Sequence, residues 1–313
     1  MSYAVGSLID ASDYNAFTGG NLGANVSGEL NTVLGGGRGN AGYGQNRINN
    51  VTAVTDTITA TQWTTLINGL NTVRKHQQGV GFSNIGTVTA GADINANVSF
   101  STNLTTAYTN RLNFTANGTT TTGATFSPVF SIPNQTGAAT FEITRTATFA
   151  SADQARYFWN AGGQLNFVVT GVTNTGGTNR GASLATLAAT NFASCRMLAA
   201  NNTGRTGTGG TLTTGNTSVA YYSLTTSNAT AVLLTSTTAS YTADTCTHSA
   251  RTNGVQGSNA DNGTVVSLNL VLVSGAQSPA FNDSINITVN HRVDVIYPST
   301  TFLANTWGSV TIA

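Results

Sequence analysis

The stretch Thr264 to Val273 is apolar on both of its phases: Val266, Leu268, Leu270 and Leu272 interleave with Val265, Val271 and Val273. Successive side chains of an extended strand point to opposite faces, so both faces of this segment need cover. The pattern predicts a central strand with neighbours on both sides and a second layer against it. Two other segments have the complementary character. From Thr140 to Phe149, Phe141, Ile143, Ala147 and Phe149 share one phase while Thr140, Glu142, Thr144, Thr146 and Thr148 share the other. From Ser284 to Tyr297 the alternation runs through Ile285, Ile287, Val289, Val293, Val295 and Tyr297, and Pro298 ends it. Beyond about residue 81 the chain reads as many short strands broken by Gly, Asn and Thr turns, the pattern of an antiparallel sandwich or barrel.

Before residue 80 the period is helical. Trp63, Leu66, Ile67, Leu70 and Val73 recur at offsets of three and four, which predicts an amphipathic helix over Thr61 to Lys75 with Thr61 at its cap. Arg74 and Lys75 stand where the carbonyl end of the helix attracts positive charge, and Gly79 follows as a stop. Ile9-Asp10-Ala11-Ser12-Asp13-Tyr14 repeats in pattern as Ile58-Thr59-Ala60-Thr61-Gln62-Trp63, and Leu30-Asn31-Thr32-Val33 recurs as Leu70-Asn71-Thr72-Val73. Two related helical units follow, separated by the Gly-rich stretch Gly35 to Gly44. So small a region encloses little core by itself. Tyr14, Phe17, Trp63, Leu66, Ile67 and Leu70 are therefore expected to dock in part against another chain. The expected organisation is a helical adaptor over residues 1–80 and an antiparallel β-domain over 81–313, mainly β in class and sandwich-like.

Charge narrows the partners. Of 313 residues only 7% are charged, with 12 Lys+Arg against 11 Asp+Glu and a net charge of +1, where ordinary soluble chains carry about 25%. Lys75 is the only lysine, so little is present to neutralise phosphates and no nucleic-acid partner is expected. No apolar run reaches the length of a membrane-spanning helix, so no membrane insertion is expected. The opening Met1 to Gly6 lacks the basic segment of a secretory signal, which predicts synthesis in a cytoplasm. Faces built of Thr and Asn add no long-range repulsion between copies, so dense self-association is tolerable. The scarcity of lysine fits a compositional habit of the source equally well.

Motifs for chemistry are sparse. Gly37-Arg38-Gly39-Asn40-Ala41-Gly42 meets a dinucleotide-binding glycine pattern but lacks the strand before it and the helix after it. Glu29 and Glu142 are the only glutamates and the nine aspartates are scattered, so no acid–base pair is evident. The expectation is no enzyme, no cofactor and no metal. Cys195 and Cys246 leave a disulfide open. Cys246-Thr247-His248 supplies two ligand types where zinc wants four. The loop Arg251 to Gly263 lacks the spaced acids of a calcium site and reads as a surface turn. His291 lies on the apolar phase of its strand and reads as a satisfied interior histidine, and His76 follows a helix end. Arg145 also lies on an inward phase, where it needs a partner such as Asp294 or a neighbouring subunit.

The segment Ser151 to Gly163 stands apart: a capping serine, a helical turn carrying Arg156, Tyr157, Phe158 and Trp159, then Gly162-Gly163. The aromatics would either stack on sugar rings or plug the end of a sandwich, and three adjacent aromatics favour the plug. The run Ala155 to Leu165 resembles the ARYFFNAGG segment of structural proteins of tailed, cyanophage-like bacteriophages. Tyr3-Ala4-Val5-Gly6-Ser7, Ser12-Asp13-Tyr14-Asn15, Gly42-Tyr43-Gly44-Gln45, Thr59 to Trp63, Arg292 to Thr300 and Asn305-Thr306-Trp307-Gly308 resemble the same family, which spans most of the chain. Trp159 replaces the usual Phe. The resemblance implies a virion component that works by assembly. It would be a tail or baseplate fibre or appendage, or else a head decoration, neck or tail-tube protein, with other virion proteins and further copies of itself as partners. A module recognising a host surface glycan is the alternative.

Overall fold

The computed structural model describes residues 11–19, 26–36, 39–52, 58–85, 97–134, 136–256, 262–281 and 283–313. Helices α1 (Ala11–Thr18), α2 (Leu30–Leu34), α3 (Ala60–Gln78) and α4 (Asn97–Thr109) come first. The cap of α3 is Thr59, two residues ahead of the expected Thr61. Its side chain accepts the Gln62 N–H while the Gln62 side chain accepts the Thr59 N–H, a reciprocal pair that satisfies two orphan donors. Gly79 ends the helix at φ +79°, a left-handed position that glycine adopts without steric penalty.

The α4 helix corrects the expectation that strands begin at residue 81; among the described residues the first strand starts at Asn117. Its Thr-rich sequence is a poor helix former by propensity. Thr105, Thr106 and Thr109 nevertheless donate their hydroxyls to the carbonyls of Ser101, Thr102 and Thr105 at 2.9–3.0 Å. The buried face of Phe100, Leu104 and Ala107 supplies the packing that propensity does not.

The β-region is built from β1 (Asn117–Thr121), β2 (Val129–Ile132), β3 (Ala139–Thr148), β4 (Gln164–Asn174), β5 (Ser194–Met197), β6 (Asn202–Arg205), β7 (Thr211–Gly215), β8 (Ala229–Thr235), β9 (Thr245–Thr252), β10 (Val265–Ser274), β11 (Ile285–Pro298) and β12 (Thr311–Ile312). They form two antiparallel sheets of six strands. One runs β1-β11-β4-β5-β6 with β2 also on β11; the other runs β12-β3-β10-β9-β8-β7. The doubly apolar segment is central as expected: β10 pairs with both β3 and β9, setting Leu270 opposite Ile143 and His248. Inward residues of the two sheets meet, as in Phe130 against Phe141 and Phe167 against His248. Helix α5 (Ala152–Asn160) links β3 to β4, and α6 (Asn179–Ala185) runs into a π-helical turn, Thr186–Phe192, before β5.

The fold overturns the docking expectation for six residues. Tyr14, Phe17, Trp63, Leu66, Ile67 and Leu70 are all buried within the chain itself. Phe17 and Trp63 lie edge-on or tilted to Phe100 of α4, at ring centroid distances of 5.1 and 6.0 Å. Since α4 covers the face that α1–α3 leave open, these side chains form an internal core. They do not form a docking surface.

Candidate functional site

Segments far apart in the chain converge where the helices meet the sandwich. Ser151 caps α5 by accepting the Gln154 N–H, and the helix then presents its aromatics inward. Phe158 and Trp159 are both 0% exposed. Trp159 stacks on Tyr221 at 4.8 Å and 14°, and Phe158 stands edge-on to Tyr297 at 5.9 Å. These rings plug the sandwich and present no face to a sugar.

The polar residues of the same helix hold the loop that follows α2. Buried Arg156 donates to the Ala41 carbonyl at 3.2 Å and pairs with Asp153 at 2.8 Å. Asn160 donates to the Gly42 carbonyl at 3.0 Å and accepts the Tyr222 hydroxyl at 2.6 Å. Tyr157 packs flat over Gly44, which has φ +70° and no room for a side chain: a Cβ there would lie 2.5 Å from the ring. Gly163 is similarly filled by the Phe158 ring, and Gly162, at φ +96°, by Phe114.

A second layer closes over this loop. Gln45 donates to the Ala304 carbonyl at 3.0 Å and accepts the Ala304 N–H at 2.8 Å, while Thr306 donates to the Tyr43 carbonyl at 2.7 Å. The Tyr43 hydroxyl donates to the Arg111 carbonyl at 2.8 Å and accepts from Gln77 at 3.1 Å. Complete burial pushes that phenol up. Gly37 and Arg38 of the glycine pattern, and the opening Tyr3 to Ser7, lie outside the described residues. Gly39 and Gly42 use their carbonyls to hold Tyr222 and Asn160.

Between the sheets runs a file of rings: Phe126, His291, Phe167, His248 and Phe192, at centroid distances of 5.2 to 6.1 Å. Arg145 lies against its end. Its guanidinium carbon sits 3.4 Å from the Phe126 centroid, and its Nε donates to His291 Nε2 at 2.9 Å. Because Nε2 accepts, the His291 proton resides on Nδ1 and is donated to the Val289 carbonyl at 3.2 Å. Burial, with the Arg145 charge adding to it, holds His291 below the usual histidine range. His248 bonds the Asn269 carbonyl through Nδ1, and burial lowers it to about 4. Asp294, the partner expected for Arg145, is taken by Arg292 at 2.8 Å.

A third cluster went unread in the sequence. Arg180, 0% exposed, enters α6 behind the cap Thr178. It donates to Ser274 Oγ at 2.8 Å and to the carbonyls of Gly137 and Gly275 at 2.9 and 3.3 Å. Asp244 accepts the Gly275 N–H at 2.9 Å, and burial raises its carboxyl. Thr178 followed at position 184 by leucine was the one available signal, a cap ahead of helical spacing.

Both cysteines are free and buried, Cys195 in one sheet and Cys246 in the other. Burial pushes the Cys195 thiol up to about 12 and the Cys246 thiol higher still, which suits inert core residues. Of the loop Arg251 to Gly263, residues 257–261 lie outside the described set. Asn253 Oδ1 accepts the N–H groups of Thr264 and Val265, as in a turn. Among the described residues no three His, Cys, Asp or Glu side chains group as metal ligands, and no helix is long and apolar enough to cross a membrane.

The fold and these clusters define a mainly β protein whose two antiparallel sheets are locked to a helical region by one buried junction. Comparison with protein-family models, with curated protein sequences and with solved structures finds no match to the chain.

Proposed function

We propose that this chain is a structural component of a tailed-phage particle, a fibre or appendage of the tail or baseplate that works by assembling with itself and with neighbouring virion proteins. The observation that carries the reading is the convergence described above. Gly42 to Gln45, the α5 run, the end of β11 and Asn305 to Gly308 are segments in which the chain resembles that family, and they meet at one buried junction. Residues that build such a junction specify a scaffold. The outward face of β3, with Thr140, Thr144 and Thr148 exposed around the one carboxylate Glu142, is a sparsely charged surface on which copies pack with little repulsion.

Mass spectrometry of purified particles of the phage that encodes the chain, with immunogold labelling, tests the proposal. The chain should be recovered in many copies and the label should lie on the tail. Label on the head or neck would reject the appendage role, and absence from the particles would reject the virion role altogether.

A further inference from the structure

We infer that Arg145 is the receiving group of an anion site that takes a carboxylate, between the unpaired stretch of the β3 edge and the Phe126 bridge on β11. The inference stands independently of the particle role. Arg145 points inward from β3 at the place where pairing with β12 stops: that strand reaches only Ala147 and Thr148, with Ala313 bonding Thr146 beyond it. Across the gap, Phe126 bridges to His291 on β11.

The guanidinium is fixed on two sides. Phe126 lies flat against it at 3.4 Å, and its Nε–H is committed to His291. His291 is neutral and supplies no compensating charge. The two Nη groups, which form the fork that matches a carboxylate, donate to none of the described residues. Among the described residues the ion pairs are Arg156 with Asp153 and Arg292 with Asp294, and none of their carboxylates answers Arg145. Burial lowers the pKa of Arg145, so the charge is partly stripped of water. A guanidinium that is held rigid, partly desolvated and left without a counter-charge has already lost the rotamer freedom that anion binding would otherwise remove.

An acidic sugar and an aspartyl side chain both present this chemistry. The full chain, with its arginine Nε–H resonances followed by NMR, is titrated with glucuronate, with N-acetyl-aspartate, and with glucose and chloride at matched ionic strength. Both carboxylates should move the Arg145 resonance saturably while glucose and chloride leave it in place, and the tighter of the two identifies the source. Calorimetry on Arg145→Gln should show the binding lost. Arg145→Lys, which keeps the charge without the fork, should bind about tenfold more weakly. It carries the test if Arg145→Gln fails to fold. An unmoved Arg145 resonance, an equal response to chloride, or unchanged affinity in Arg145→Lys overturns the inference.

Discussion

Single residues carry strain and charge that stability measurements can read. Ala193, which joins the π-helical turn to β5, has φ +59° and ψ −70°, a conformation disfavoured for any side-chain-bearing residue. Its N–H is held by the Ala188 carbonyl and its own carbonyl by the Val169 N–H, so the backbone cannot relax. Ala193→Gly should therefore stabilise the chain by about 1 kcal/mol in urea unfolding, strain relief outweighing the added freedom of the unfolded state. A loss of stability would show that the position is unstrained. Gly44→Ala should do the reverse, at about 2 kcal/mol or more, by driving a methyl group into the Tyr157 ring at a positive φ. The buried histidines add a pH dependence. Burial lowers His76 and His248 to about 4, so from the ordinary histidine value down to that point the unfolded chain binds more protons. Stability should fall as pH drops from about 6.5 to 4 and level off below, by about 3 kcal/mol for each histidine. Asp244, raised by burial, acts in the opposite direction and blunts the fall. A urea midpoint that stays flat across this window would mean that neither ring is buried in the neutral form.

At the level of elements, the test of local coding is the cap of α3. Thr59→Ala removes both the acceptor for the Gln62 N–H and the pairing of the two side chains, and should cost about 1 kcal/mol. Thr61→Ala, at the position first expected to cap, should cost little, because the Thr61 backbone carbonyl that accepts the Thr65 hydroxyl at 2.9 Å is untouched by the substitution. How far sequence reads into structure follows from what each element depends on. Strands β3 and β11 were legible because a period of two on a half-buried face leaves one register, and β10 because a run apolar on both phases has to lie between neighbours. Helix α4 was not, because its apolar spacing is carried by few residues in a Thr-rich run whose hydroxyls are satisfied only once the helix exists. The role of Tyr14 and Trp63 was misread for the same reason: without α4 their face has no cover. Phe158 and Trp159 were legible as a plug, since burying adjacent rings leaves few options. The partners of Arg145 and Arg180 lie on strands distant in sequence, and no local spacing encodes them.

For the whole molecule, the junction makes helices and sandwich one unit. Trp63 reports on the helices, Trp159 on the junction and Trp307 on the closing loop, and all three are buried. Single-tryptophan variants should lose their fluorescence signals at the same urea concentration. An earlier loss at Trp63 would reveal an independent helical unit. Removing residues 1–80 would also strip Phe100 of its cover by Phe17 and Trp63 and leave buried Arg156 and Asn160 without the carbonyls of Ala41 and Gly42, so the truncated chain should aggregate whatever the role of the helices in docking. The clasp between Gln45 and Ala304 has a further consequence in time. The two residues are 259 positions apart, and a ribosome moving at roughly 5–20 residues per second needs on the order of tens of seconds to cover that interval. Throughout that delay the early loop emerges without the residues that will latch it, leaving the nascent chain a window in which a chaperone or a sister polypeptide can reach it before it closes.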